Sequence, residues 1–326
     1  MSKRAFVTGA TGFLGINLVQ ELLAQNWQVT AIKRSRSQTK HLNPLNINLV
    51  TGDVEDIDSL RAAVPHQVDA VFHVAASTNL WSKYNQRQYK TNVEGTRNMI
   101  KVALEKEAGR FIHTSSIAAY GIHEDQVRED TLSNALDSGI NYHVTKYLSE
   151  NDVKEAVGRE LDAVVLNPAH IVGPYDTHNW VQIFKNVYRQ SMPGIPPTLG
   201  SFTYAPEVAK VHIIAYEKGV KGENYLLGGV EASMLEFVNF IERFLDKPVS
   251  MKTTAPWILQ LATKFYQLGA LFTGKEPLLT PEKTKLLTHN VRCDDSKARQ
   301  QLNFQAVPLE TIVEKTCHWL KQENLL

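Results

Sequence analysis

Apolar positions in the first half of the chain alternate between two periods. Short runs in which nearly every residue is apolar or small predict buried strands at 4–9, 28–34, 47–53, 69–76, 110–116 and 162–174. Between them, apolar residues recur three and four apart. That spacing predicts helices over 15–26, 56–64, 92–106 and 141–158. The first carries Ile16, Leu18, Val19, Leu22 and Leu23 on its inner side. A repeated strand–helix order means a parallel sheet with helices on both faces, because a parallel strand needs a crossover to return. After Pro174 the rhythm breaks. Residues 191–207 are rich in proline and glycine and read mostly as loop, and a last helix is expected over 309–326. The expected organisation is a core over 1–174, whose strands and helices can recur later. A smaller lobe over 175–326 packs on the sheet's open edge.

The longest apolar stretch, residues 255–272, is interrupted by Lys264 and two glutamines, so it is a poor spanning segment. As a helix it lines up Trp257, Leu261, Ala262, Phe265, Leu268 and Phe272. We expect that face to be buried in the smaller lobe, with membrane-surface contact as the lesser alternative. No stable membrane insertion is expected.

Composition excludes more than it assigns. The chain has 326 residues, 43% hydrophobic, enough for a sizeable core. A net charge of +1 offers no overall field for nucleic acid or an anionic membrane. Two cysteines, Cys293 and Cys317, make no disulfide framework, and no secretory leader is visible, so a cytoplasmic setting is expected. The 11 histidines show no metal spacing, so no metal is expected.

The chemistry starts at "VTGATGFLG", residues 7–15, where a strand meets a helix. Gly9 suits the tight turn, Gly12 lets a pyrophosphate approach the backbone, and Gly15 lets the helix pack closely. The helix N-terminus then offers N–H groups and partial positive charge to the phosphates. Thr11, Phe13 and Leu14 fall in the same loop. The fold class expected is therefore α/β: a doubly wound parallel Rossmann sheet with a small C-terminal α/β substrate-binding lobe. The second strand ends in "KRSR" with no acid to hold ribose hydroxyls. Arg34, Ser35 and Arg36 instead suit a 2′-phosphate, so the expected cofactor is NADP(H). Asp53 and Val54, after the third strand, are placed to meet adenine.

"TGATGFLG", "GDVED", "HVAA", "NVEGT", "TSS" and Tyr142-x-x-x-Lys146, in that order, resemble the extended short-chain dehydrogenase/reductases of the epimerase/dehydratase superfamily. "NPAHIVGP" and the tail segments "TGKEPLLTPEKTKLL" and "DDSKARQQLNF" resemble its dihydroflavonol reductase and 3β-hydroxysteroid dehydrogenase branches. The resemblance spans nearly the whole chain. It implies Ser116, Tyr142 and Lys146 as catalytic residues, with Ser116 chosen over Ser115. It also places Ala75, Ala76, Asn92 and Pro168 beside the cofactor, and permits a homodimer through helices 92–106 and 141–158.

The residues themselves suit that chemistry. An alkoxide formed by hydride transfer needs a proton, and Tyr142 can give it. Lys146 sits one turn on, on the same helix face, where its ammonium and the nicotinamide charge would lower the phenol's pKa. Ser116 can hydrogen-bond the substrate oxygen.

An NADPH-dependent reductase of an aldehyde or ketone is the expected activity. A nucleotide-sugar epimerase and a sterol-type dehydrogenase are the alternatives. A sugar dehydratase would carry Thr-Asp-Glu at 114–116, and an epimerase an Arg-Asp where Gly200 and Ser201 stand. A non-catalytic sensor would be expected to lose one of the three catalytic residues. The pocket is expected to be bordered by Ser77, Trp81 and Tyr84 on one side and Phe202 and Tyr204 on the other, giving an apolar site. His113 and His170 are read as packed histidines, and His143 is given no role.

Overall fold

The computed structural model describes residues 2–274 and 276–326. The chain begins with β1 (Arg4–Thr8), α1 (Phe13–Ala24), β2 (Gln28–Lys33), β3 (Asn48–Thr51), α2 (Ile57–Ala63) and β4 (Ala70–His73). Next come α3 (Asn85–Tyr89), one π-helical turn at Lys90–Glu94, and α4 (Gly95–Glu105). The helix expected over 92–106 thus starts earlier, near residue 85, and bulges where Asn92 stands. β5 (Arg110–Thr114), α5 (Asn141–Val157) and β6 (Ala163–Pro168) follow. β7 (His170–Val172), α6 (Val181–Tyr188), β8 (Leu199–Tyr204) and α7 (Ala205–Lys218) lead to β9 (Asn224–Leu227). The chain continues through β10 (Val230–Ser233), α8 (Met234–Phe244), α9 (Pro256–Thr273), α10 (Pro281–Leu287), α11 (Ser296–Leu302) and α12 (Leu309–Gln322).

Seven parallel strands form the main sheet in the order β3-β2-β1-β4-β5-β6-β9. Alternate residues of each central strand face opposite sides, as the strand period requires. Phe72, Ile112, Val164 and Leu166 face α1 and α7, whereas Val71, Phe111, Ala163 and Val165 face the layer of α2, α4 and α5. The doubly wound sheet is the one expected, with a seventh strand contributed from beyond residue 174.

Two expectations fail here. The apolar run 162–174 is two strands, not one. β6 pairs with β5 and β9 in the large sheet, and after Ala169 the chain enters a small sheet as β7, parallel to β8. Residues 191–207 are not mostly loop. Residues 199–204 form β8, which pairs antiparallel with β10. Pro206 sits in the first turn of α7, where the missing N–H would have no partner in any case.

The small sheet and its helices α6, α8 and α12 enclose a second core around Phe184, Phe202, Phe237 and Ile312. This lobe grows out of the carboxyl ends of β6 and β9. Among the described residues no helix is long and apolar enough to cross a membrane.

Candidate active site

The carboxyl ends of six parallel strands supply the site. At the end of β1 the chain turns through Gly9, whose φ of +69° suits glycine. A Cβ there would lie 2.6 Å from the Ala75 amide nitrogen. A Cβ on Gly15 would lie 2.1 Å from the Gly9 carbonyl oxygen. Gly15 therefore packs on the loop itself, where close packing against the strand was expected. Gly12 caps α1 with no side-chain hydrogen bond, and the helix starts at Phe13, earlier than expected. The first-turn amides of α1, with Thr11, Phe13 and Leu14 around them, thus carry no side-chain cap and offer an anion cradle, and a Cβ at Gly15 would push the Gly9–Ala10 backbone out of the turn that shapes it. These residues fit the pyrophosphate of a dinucleotide.

Arg34, Ser35 and Arg36 follow β2 and are exposed. Among the described residues neither arginine joins an ion pair. After β3, Asp53 is held by its own turn: its N–H donates to Ser59 Oγ (2.9 Å), and its carboxylate accepts from the Glu55 N–H (3.1 Å). The carbonyl of Val54 accepts from Asn98 Nδ2 (3.0 Å). Ala75 and Ala76 continue from β4, and Pro168 ends β6.

A buried chain of hydroxyls and one imidazole ties β1 to β4. Thr8 Oγ1 accepts from the amides of Val74 and Ala75 (3.2 and 3.1 Å) and lies 2.9 Å from His73 Nδ1. His73 Nε2 lies 2.9 Å from Thr96 Oγ1, which donates to the Asn92 carbonyl (2.7 Å). Thr8 therefore donates a hydrogen bond to Nδ1, and the ring carries its hydrogen on Nε2. The Asn92 amide grips both backbone groups of Ser77, accepting from its N–H (2.7 Å) and donating to its carbonyl (3.0 Å). It also donates to Thr145 Oγ1 (3.0 Å), one residue before Lys146. Asn92 thus couples the loop after β4 to the helix of the catalytic candidates.

Those candidates come from β5 and α5. Ser116 Oγ accepts from the Ala118 N–H (3.2 Å) and lies near enough to the Tyr142 phenol to lower its pKa, whereas Ser115 Oγ turns away and donates to Glu150 (2.7 Å). Lys146 is buried, and its Nζ donates to the Thr114 carbonyl (2.7 Å). Burial lowers its pKa to about 8, while the Glu150 charge raises it. For Tyr142 the expected lowering is not seen. Burial raises the phenol above its ordinary value and outweighs the lowering by the nearby Ser116 side chain, and the Lys146 ammonium is engaged with a backbone carbonyl instead.

Sequence reasoning missed the polar group beneath these residues. The buried Glu150 carboxylate accepts from Ser115, from Asn167 Nδ2 (2.7 Å), from Asn224 Nδ2 (2.6 Å) and from Lys154 Nζ (2.8 Å). Asn167 Nδ2 also donates to the Ser116 carbonyl (3.1 Å), and Asn224 Nδ2 to Asn167 Oδ1 (2.9 Å). Glu150 thereby fixes the backbone of Ser116 through Asn167. A signal existed: Glu150 stands four residues after Lys146, and Asn167 interrupts an otherwise apolar strand.

The expected substrate residues divide. Trp81 is half-exposed and meets Tyr84 edge-on at 5.3 Å, with Lys83 over its ring. Gln88 holds this loop by donating to the carbonyls of Ser77 and Asn79 (3.0 and 2.7 Å). Tyr204 lies at the rim of the second core, 5.6 Å beneath Lys315 Nζ. Phe202 is no border: it is fully buried and stacks on Phe237 at 4.8 Å. His170 packs between Trp180 and Phe202. His113 is buried, and both its ring nitrogens lack a hydrogen-bond partner. Among the described residues no cluster could hold a metal.

Buried imidazoles give the fold a pH signature. Burial depresses His73 to about 3 and His143, His170 and His212 each to about 4. In the unfolded chain all four titrate near the ordinary imidazole value of about 6.5. Between roughly pH 6.5 and 4 the unfolded state binds more protons, so stability is full above that window and falls as pH drops through it. The urea midpoint is expected to be lower at pH 5 than at pH 7, with a smaller difference in His170→Phe. Equal midpoints at the two pH values would contradict neutral burial.

The NAD dependent epimerase/dehydratase family model matches residues 5–228. A putative dihydroflavonol 4-reductase from Synechocystis sp. is 31% identical, covering 98% of this chain and 95% of its own. Sterol demethylase protein B from Methylococcus capsulatus is 29% identical, covering 98% and 99%. The crystal structure of gox2253 superposes with a TM-score of 0.83 at 29% identity, over 99% of both chains. With the family matched across more than half its length, on a seven-stranded sheet and a glycine cradle of the right form, the chain belongs to the NAD-dependent epimerase/dehydratase family, the extended short-chain dehydrogenase/reductases.

Proposed function

We propose that this chain is an NADPH-dependent reductase of an apolar aldehyde or ketone, able to run in reverse as an alcohol dehydrogenase. The observation that carries the reading is the convergence of Ser116, Tyr142 and Lys146: Ser116 lies close enough to the Tyr142 phenol to lower its pKa, and Lys146 stands one helical turn on, its Nζ at the Thr114 carbonyl (2.7 Å). A bound nicotinamide supplies the hydride. Tyr142 gives its phenolic proton to the carbonyl oxygen as that oxygen gains charge. The Ser116 hydroxyl donates a hydrogen bond to the same oxygen. The Lys146 ammonium, held at the Thr114 carbonyl in this structure, would turn to stabilise the phenolate left behind and hold the nicotinamide ribose. Gly9, Thr11, Gly12, Phe13, Leu14 and Gly15 would hold the pyrophosphate. Asp53 and Val54 would meet adenine, and Ala75, Ala76, Asn92 and Pro168 would line the cofactor's path.

The bases at the end of β2 support NADPH over NADH, since no acid there would repel a 2′-phosphate. The Synechocystis relative's name supports carbonyl reduction. Ser77, Trp81 and Tyr204 would border the substrate.

The test is cofactor consumption across a panel of aldehydes and ketones, with NADPH and NADH in parallel. Turnover favouring NADPH is expected. Binding of NADP without reduction of any carbonyl would overturn the reading and direct attention to nucleotide sugars. Arg34→Asp should weaken NADPH binding about ten- to a hundredfold while leaving NADH nearly unaffected, the worth of a charged hydrogen-bonded pair. Equal loss of both cofactors would reject the 2′-phosphate assignment.

A further inference from the structure

The apolar face of α9 was expected to be buried, and it is not. Trp257, Leu261, Phe265, Leu268 and Phe272 are spaced four, four, three and four apart, so they form one stripe. Each is between 46% and 85% exposed. The opposite face is the anchored one: Leu259 and Thr263 are buried, and Thr263 hydrogen-bonds Thr284 of α10. A helix whose large apolar residues face outward is unusual in a soluble domain and marks a contact surface.

Charge selects the partner. Between residues 250 and 274 the charged residues are Lys252 and Lys264, and Glu276, just beyond, is already paired with Lys283 (2.7 Å). Lys252 and Lys264 are exposed, and Lys264 lies beside the stripe, where its stem can follow apolar surface while its ammonium reaches outward. A second copy docked on the same face would set these lysines against their equivalents with no acid between them. An anionic bilayer surface satisfies both the aromatic-rich stripe and its cationic flank. The near-neutral whole chain conceals this local imbalance. We propose that α9 docks the protein, lying flat, on an anionic lipid bilayer.

The location adds a consequence. Just beyond α9, Asn79 donates to Glu276 (3.3 Å) and Thr280 to the Leu80 carbonyl (2.6 Å). The docking helix is thus tied to the loop that carries Ser77 and Trp81. The surface stands on its own exposure and charge, whether or not an apolar carbonyl is the substrate.

Co-sedimentation of the full chain with phosphatidylcholine vesicles, with and without phosphatidylglycerol, tests the proposal and reads no catalytic activity. Binding to the anionic vesicles is expected, reduced by salt. The double variant Phe265→Glu/Phe272→Glu should bind at least about tenfold more weakly with an unchanged melting temperature. Lys264→Glu, which keeps the apolar stripe, should also weaken binding. Failure of the unaltered chain to sediment with anionic vesicles would overturn the proposal, as would equal binding by the double variant. A concentration-dependent dimer broken by the double variant, without vesicle binding, would assign the face to a second copy and overturn it too.

Discussion

Tyr142→Phe should lower turnover by about 10²–10⁴-fold, the usual worth of a positioned general acid, and leave NADPH affinity unchanged. The variant removes one oxygen and keeps the ring that fills its place on α5. Steady-state rates beside a cofactor titration measure the two effects separately. Turnover within about tenfold of the unaltered protein would mean that another group delivers the proton.

Glu150→Ala should be the most destabilising of these substitutions, by about 3–5 kcal/mol, because it strands a set of donors assembled around a buried carboxylate. Ser115, Asn167 and Asn224 would lose their acceptor together, and Lys154 its partner. Urea unfolding measures this. Glu150→Gln keeps the shape and separates structure from electrostatics. The Glu150 charge raises the pKa of Lys146, so its removal should let that pKa fall further below about 8. Lys146 is charged below its pKa and neutral above it. The alkaline limb of activity should therefore move to lower pH in Glu150→Gln. An unmoved limb would confine Glu150 to holding the Ser116 backbone.

The sheet was legible because its strands are buried on both faces and read as apolar runs, and because the glycines fall where β1 meets α1. The grouping of Ser116, Tyr142 and Lys146 was legible because it depends on local spacing and order. The Glu150 group was not. Its members are ordinary polar residues until folding brings Asn224 to Glu150 across 74 positions. The break at Ala169 is hidden for a similar reason: the run is continuously apolar, and only the choice between β9 and β8 as partner divides it. Polar residues at 85–91 masked the early start of the helix leading into α4. The stripe on α9 has the period of a core helix, and period says nothing of which side meets water.

The placement of β9 has a bearing on how the molecule is made. The sheet that holds the glycine cradle gains its last strand only at Leu227, after the small sheet has received β7 and β8. Asn224, one of the donors to Glu150, arrives with that strand. During synthesis the support beneath Ser116 is thus incomplete until more than two-thirds of the chain has emerged. The two cores must then mature together, with pairings of long sequence separation that slow folding. A nascent chain halted before β9 would present an open edge on β6, a surface that chaperones would have to cover.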